Sequence, residues 1–384
     1  MKILHLMLAS FYIDNYSYQE NLLPKYHKKN GYTVEIIASL FTFDENGKGK
    51  WLPSKISYIN EDGIPVTRLE FKKGPFSQRI RKYIGLIDEL NRSSPDIIFI
   101  HGVQFGDIDV VIQYLKKHRD VKVFVDNHAD FSNSAKNWIS KNIQHKILWK
   151  YYAQRINPYV IRFYGVLPAR VNFLTDVYGV PKEKCELLVM GADDILVSAV
   201  TAKEIKSIRE SYKIKDNEIL MLTCGKIDYN KPETLNLMRA VSEIDNDKIH
   251  LLVMGSVIPK LQEQFEALVD GKKIIHGGWM KAEDTYKYFL AADLIAFPGL
   301  HSVYWEQAVG AGCACVFRRI PGVEHVDLDG NCTFFDNVDT NAIRKKIQDL
   351  LNDTRKIENM KNVAQEKGKI FFSYEDIARR SISQ

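Results

Sequence analysis

Residues 219–232 read Ile-Leu-Met-Leu-Thr-Cys-Gly-Lys-Ile-Asp-Tyr-Asn-Lys-Pro. The first six form an apolar run of strand length, the pattern of a parallel strand covered on both faces. A glycine and a polar loop follow, and then Pro232, a favoured first residue of a helix. Strand, glycine turn and helix in that order make the unit of a doubly wound sheet, which binds ligands at the carboxyl ends of its strands. Lys226 and Lys231 stand in the strand-end loop, just before the helix. Two ammonium groups and the positive end of a helix dipole suit a diphosphate; two solvated surface lysines would read the same way.

The alternation continues in both directions. Upstream, apolar runs at 2–8, 34–38, 97–100, 121–125, 163–167 and 187–190 are predicted strands, with helices at 18–29, 107–118 and 169–178 among them. Downstream, runs at 250–254, 273–275, 294–297 and 314–317 extend the second series. The expected fold is α/β, two Rossmann-like doubly wound domains facing an interdomain cleft. The polar segment 201–217 separates the two series, so the domains are placed at 1–195 and 196–371. Residues 372–384 have apolar positions at helical spacing and are expected to pack back on the first domain.

A length of 384 residues agrees with two domains, and 45% apolar with 26% charged residues is ordinary for a soluble globular chain. The N-terminus lacks the small-residue cleavage site of a signal peptide, and no stretch approaches the ~20 apolar residues of a membrane span. The five cysteines (Cys185, Cys224, Cys313, Cys315, Cys332) are odd in number and lack metal-ligand spacing, which points to a reducing compartment. The expected location is the cytoplasm. A net charge of +5 without an aromatic–basic stripe or reader motif argues against nucleic acid as a partner.

Other strand ends carry candidate residues. The run 294–297 leads through Pro298, Gly299, Leu300, His301 and Ser302 into a helix with Glu306 in its first turn. Free N–H groups at such a start bind anionic oxygens, and Glu306 can accept from ribose hydroxyls, or it is a silent partner of the helix dipole. In the first half, His101 and His128 each follow a predicted strand and can hydrogen-bond a sugar, or serve as turn residues. The loop 9–20 holds Tyr12, Asp14, Tyr16, Tyr18, Gln19 and Glu20, which suit sugar stacking and hydroxyl recognition. Asp107-Ile108-Asp109 reads as a helix cap and Asp327-Leu328-Asp329 as a turn, so no metal site is expected.

In this order the residues resemble the retaining GT-B glycosyltransferases of group 1, a family 4-like pattern. Gly225-Lys226-Ile227-x-x-x-Lys231-Pro232 matches the family's Gly-Arg-Leu-x-x-x-Lys-Gly in spacing, with Lys for Arg at 226. The segment 298–306 matches its paired-glutamate motif, with Pro298 in place of the first glutamate and Glu306 as the second. Weaker echoes are Val189-Met190-Gly191-Ala192-Asp193, Ala292-Asp293-Leu294, Pro321-Gly322-Val323-Glu324 and Phe372-Ser373-Tyr374. The resemblance implies a metal-independent hexosyltransferase, without cofactor, that moves a sugar from a nucleoside diphosphate sugar, UDP favoured, to a hydroxyl with retention. It assigns His128, Lys226, Lys231 and Glu306 to catalysis, and Gly225, Met280, Gly299, Leu300, His301 and Ser302 to the donor. Tyr18, Gln19 and His101 fall to the acceptor, a glycan or lipid-linked saccharide of surface polysaccharide synthesis. The replacement at Pro298 keeps open a catalytically silent GT-B sugar-binding or accessory subunit; a GT-B epimerase is the third alternative.

Residues 136–155 carry Lys136, Lys141, Lys146, Lys150 and Arg155 beside Trp138, Trp149, Tyr151 and Tyr152. Such a helix could lie on anionic lipid as a peripheral contact on the inner face of the membrane. The alternative expectation is an amphipathic helix that packs Ile139, Ile143 and Ile147 on its own core.

Overall fold

The structure, a computed structural model, describes residues 1–9, 11–44, 48–74, 76–228 and 232–383. The chain divides into two compact units, Met1–Val189 with Ile377–Gln384, and Met190–Asp376.

The first unit is built on an eight-stranded sheet. Its order is Cys185–Leu187, Val160–Gly165, Lys122–Asn127, Ile97–His101, Lys2–Met7, Thr33–Ser39, Pro65–Leu69, Ile56–Ile59. All neighbours pair in parallel except Ile56–Ile59, which runs antiparallel to Pro65–Leu69 at the edge. The central strands are buried on both faces, with Ile3, Leu4, Leu6, Met7, Ile98, Phe99 and Ile100 all inaccessible, as a sheet sandwiched by helices requires. The order reverses between Lys2–Met7 and Ile97–His101, so the crevice of this sheet opens beyond their carboxyl ends.

The second unit has six parallel strands in the order Ile274–Gly278, Ile249–Met254, Ile219–Cys224, Leu294–Phe297, Cys315–Arg318, Cys332–Phe335. Its order reverses between Ile219–Cys224 and Leu294–Phe297. The loops after these two strands, which begin at Gly225 and Pro298, therefore leave the sheet side by side at the switch point.

Several expectations shift. The boundary expected near residue 195 falls after Val189, because the next residues are tied into the second unit. Ala192 N donates to Phe372 O at 2.8 Å, and Asp193 N to Tyr286 Oη at 2.8 Å. The chain returns to the first unit at Ile377, five residues later than position 372. The separating segment 201–217 contains a helix, Ala202–Ser211, started by a capping box in which Thr201 and Glu204 exchange hydrogen bonds. The last strand of the first sheet is Cys185–Leu187, not 187–190. Asp107 does not cap its helix with its side chain; the carboxylate accepts from Tyr83 N at 2.6 Å and lies 3.4 Å from Lys72 Nζ.

The largest correction lies in 136–155. Ser140–Trp149 is a π-helix continued by the α-helix Lys150–Ile156. Its buried positions are Ser140, His145 and Trp149, and the isoleucine face is turned outward. Ile139, Ile143 and Ile147 are 53%, 46% and 64% exposed, and Trp138 69%. The expectation that the three isoleucines pack on the core is thereby overturned.

Candidate functional site

In the second unit the strand ends carry glycines where side chains cannot fit. Gly225 has φ +124° and Gly255 φ +135°; a Cβ on Gly255 would stand 2.0 Å from Gly225 O. The loop after Ile219–Cys224 is thus laid directly on the loop after Ile249–Met254, and Gly225 N donates to Met254 O at 3.0 Å. Lys226 projects from this turn, exposed, with no carboxylate paired to it among the described residues. Lys231 lies outside the described residues. Met280 is buried, two residues past the end of the neighbouring strand Ile274–Gly278.

Beyond Leu294–Phe297, Pro298 and Gly299 are buried, Leu300 is exposed, and the helix Tyr304–Gly310 begins. Glu306, in its first turn, is inaccessible to solvent. Its Oε1 accepts from His301 Nε2 at 2.8 Å and from His325 Nε2 at 2.9 Å. Burial alone would raise this carboxyl, but the two imidazoles outweigh it and hold it down at about 2. Glu306 Oε2, Ser302 Oγ, His325 Nδ1 and the Trp305 indole nitrogen are buried without a partner among the described residues. Such groups cost free energy unless a ligand or water meets them, so the turn is polar, rigid and short of hydrogen bonds. Sequence reading missed His325. It flagged Glu324, which closes the turn by accepting from Gly322 N at 2.8 and 3.0 Å.

In the first unit His101 ends its strand and His128 follows Lys122–Asn127. Between them stands Asp126, inaccessible, with Oδ2 2.8 Å from His101 Nδ1 and 3.3 Å from His128 Nε2. Burial raises Asp126, yet the two imidazoles draw it well below the usual carboxylate range. His128 is opposed by burial, but the charges of Asp126 and Glu20 raise it above the ordinary histidine value. Gln19, expected on the acceptor side, is buried, with its amide Nε2 3.4 Å from Asp126 Oδ2. His101 is fully buried and forms part of the floor of a cavity of about 580 Å³, whose walls include Tyr18, Glu20, Arg81, His128, Gln144 and Trp149. Tyr18 stacks on Tyr16 at 5.2 Å.

Behind His101 lies a feature that sequence reading missed. His101 Nε2 is 2.9 Å from His5 Nδ1, and His5 Nε2 is 3.0 Å from His27 Nδ1. His27 Nε2 then reaches Ala378 O at 3.0 Å and Ser381 Oγ at 2.9 Å in the C-terminal helix Tyr374–Ser381. All three imidazoles are buried.

Both clusters, His101–Asp126–His128 and His301–Glu306–His325, bring imidazole and carboxylate atoms within 4.8 Å and so have the donor set of a divalent metal site. In the second, hydrogen bonds to Glu306 already account for one nitrogen of each histidine.

The depressed Glu306 carboxyl makes stability depend on acid. Its stabilisation is complete above the unfolded value near pH 4.3 and is lost as pH falls toward 2, on the order of 3 kcal/mol in all. Urea unfolding at pH 7 and at points down to pH 2 should show this loss in the wild-type chain and a flatter profile in Glu306→Gln. Equal acid sensitivity of the two would contradict the ion-paired carboxylate.

Residues 204–367 match the family described as glycosyl transferases group 1. No curated protein matches the sequence. Among solved structures, sucrose-phosphate synthase from Thermosynechococcus elongatus superposes with a TM-score of 0.69 at 15% identity, covering 99% of this chain and 96% of that one. Anabaena HepE in complex with UDP-glucose gives 0.66 at 15%, covering 99% and 98%. A glycosyltransferase from Rickettsia africae gives 0.67 at 15%, covering 99% and 96%. The whole chain therefore has the GT-B fold, and its second unit carries a segment that matches the group 1 glycosyl transferases.

Proposed function

We propose that this protein is a glycosyltransferase that moves a hexose from a UDP-sugar to a hydroxyl of a glycan or lipid-linked saccharide, with retention and without a metal. The observation that carries the reading is the turn at Glu306. It lies at the switch point of the second sheet, inside the segment matched to the group 1 family, with buried polar atoms left unmatched. Glu306 Oε2 is the acceptor for a ribose hydroxyl. Lys226, Lys231 and the N–H groups of Gly299–Ser302 offset the charge that develops on the leaving diphosphate, and preorganised stabilisation of this kind is the main source of rate enhancement in such transfers. His301 orients Glu306 and stands near the position that the resemblance gives to the sugar, where Pro298 offers no side-chain acceptor. HepE, which shares the fold, binds UDP-glucose, and this supports UDP as the nucleotide.

The acceptor is assigned to the cavity of the first unit, with His128 as the group that meets its hydroxyl and Tyr18 as a stacking wall. In retaining transfer the leaving phosphate takes the acceptor proton, so His128 acts as a hydrogen-bonding group rather than as the base. UDP release from a panel of UDP-sugars tests the assignment. Lys226→Ala and Lys231→Ala should each lower turnover about 100-fold with unchanged circular dichroism, and EDTA should leave the rate unaltered. Full activity in both variants would sink the diphosphate site, and loss on chelation would sink metal independence. Donor binding without turnover would favour an accessory subunit, and a donor with one inverted hydroxyl an epimerase.

The exposed face of 138–147 supports a lipid-linked acceptor taken at the cytoplasmic membrane surface. No helix among the described residues is long and apolar enough to span a bilayer. Trp138, Ile139, Ile143 and Ile147 are open to solvent. At roughly 1.5–3 kcal/mol for each large apolar side chain buried, and about 1 kcal/mol for each lysine near an anionic surface, they suffice for reversible binding. Flotation with phosphatidylserine vesicles should recover the wild-type chain at low salt, and Ile143→Asn/Ile147→Asn should float several-fold less. Equal recovery of the two, or none of either, would remove the membrane contact.

A further inference from the structure

We infer that the cavity of the first unit takes a phosphorylated sugar, with Arg81 as the group that binds the phosphate and Arg79 as a second cation from the same loop. The inference rests on the assignment of this cavity to the acceptor, and it adds the chemical class of that acceptor.

Other arginines drawn into the fold are matched by the protein itself. Arg68, inaccessible to solvent, donates through Nε to Tyr58 Oη and through Nη1 to Ser39 O and Phe41 O. Its Nη2 reaches Tyr12 O at 3.0 Å and Asp14 Oδ2 at 3.1 Å. Arg170 pairs with Asp130 at 3.1 Å, and Arg209 with Asp293 at 2.9 Å. Arg81 differs. Its Nη1 donates to Ala9 O at 2.6 Å and to Gln104 O at 2.9 Å, which anchors the guanidinium. Nε and Nη2 have no partner among the described residues, and neither is sealed from solvent. The backbone at Arg81 has φ +56°, a left-handed conformation that a long side chain seldom adopts and that gathers at ligand sites.

Arg81 and the exposed Arg79 both line the cavity of about 580 Å³. Glu20 is the carboxylate in its wall, and it forms no ion pair with either arginine among the described residues. The Arg81 charge is felt at His145, which burial and that charge push down to about 4. His145 is held between Ser134 Oγ at 2.9 Å and Tyr178 Oη at 2.8 Å, so it offers no counter-charge. Burial draws Arg81 itself below its ordinary value, and only Tyr83 and Tyr178 act the other way. A guanidinium held in this setting costs free energy until an anion meets it. Its Nε and Nη2 form the fork that matches two oxygens of a phosphate or a carboxylate. Two guanidiniums from one loop suit the double charge of a phosphate monoester better than the single charge of a carboxylate. The cavity has room for a sugar ring beside the phosphate, against Phe11, Tyr18 and Phe43.

Isothermal titration of the full chain with hexose monophosphates, the parent hexoses and glucuronate tests the site without any need for turnover. At least one hexose phosphate should bind about ten-fold tighter than its parent sugar. Arg81→Gln should remove that preference. Arg79→Gln, at an exposed position, should reduce it several-fold, so the test survives an Arg81 variant that folds poorly. Lys226→Ala should leave the preference intact, because that lysine belongs to the second unit. Where the phosphate is carried by a lipid, the chain should instead float with phosphatidylcholine vesicles that hold a polyprenyl phosphohexose and not with plain ones, and Arg79→Gln should float several-fold less. Equal affinity for phosphate and parent sugar without such flotation would overturn the inference. So would glucuronate bound as tightly as the phosphate, a preference kept in both arginine variants, or one lost in Lys226→Ala. Phosphate binding without UDP release from any UDP-sugar would remove the transfer and leave the phosphate site, and turnover with neutral acceptors alone would do the reverse.

Discussion

A carboxylate taken out of water must be met by cations or strong donors, or the several kcal/mol of lost hydration go uncompensated. This chain meets that constraint twice with the same chemistry. Asp126 is clasped by His101 and His128, and Glu306 by His301 and His325. Glu306 Oε1 accepts from both of its imidazoles, whereas Asp126 Oδ2 lies 2.8 and 3.3 Å from its two without an aligned hydrogen bond, and the second oxygen, Asp126 Oδ1 or Glu306 Oε2, is buried without a partner among the described residues.

The sheets explain why the clasps lie where they do. In each unit the strand order reverses once, and the loops on either side of the reversal diverge to leave a crevice. His101 ends one of the two strands at the first reversal, and Asp126 and His128 follow from its neighbour. At the second reversal Gly225 and Lys226 leave one strand and the Glu306 turn leaves the other. The first clasp faces a cavity lined by aromatic and amide groups, suited to hydroxyl-rich ligands. The second sits beside an exposed lysine, suited to a phosphate.

Much of the architecture could be read from continuous apolar runs. The central strands of both sheets, such as Ile97–His101 and Ile219–Cys224, were legible because strands buried on both faces admit few polar residues. The edge was not. Ile56–Ile59 is mostly exposed, Phe41–Phe43 and Gly49–Trp51 are three-residue strands of a separate two-stranded sheet, and Cys332–Phe335 is interrupted by Thr333, so none shows a continuous apolar run. The 136–155 segment misled because helical spacing shows that Ile139, Ile143 and Ile147 share a face, not whether that face meets the core or solvent. At the sites, residues just past strand ends, His128, Lys226 and Glu306, could be found by position. Those that act from behind could not. His5 sits mid-strand and His27 in the last turn of its helix, and a histidine there shows its purpose only when its partners across the fold are known. The one signal available was at His5, an imidazole inside an otherwise apolar run.

The central claim is that the second unit holds a nucleoside diphosphate between the Lys226 turn and the Glu306 turn. A crystal structure of the chain with UDP tests it most directly. The expected result is a diphosphate within hydrogen-bond reach of Lys226 and of the amides of Gly299–Ser302, with a ribose hydroxyl on Glu306 Oε2. UDP bound elsewhere on the chain, or a ribose that leaves Glu306 Oε2 unmatched, would contradict it.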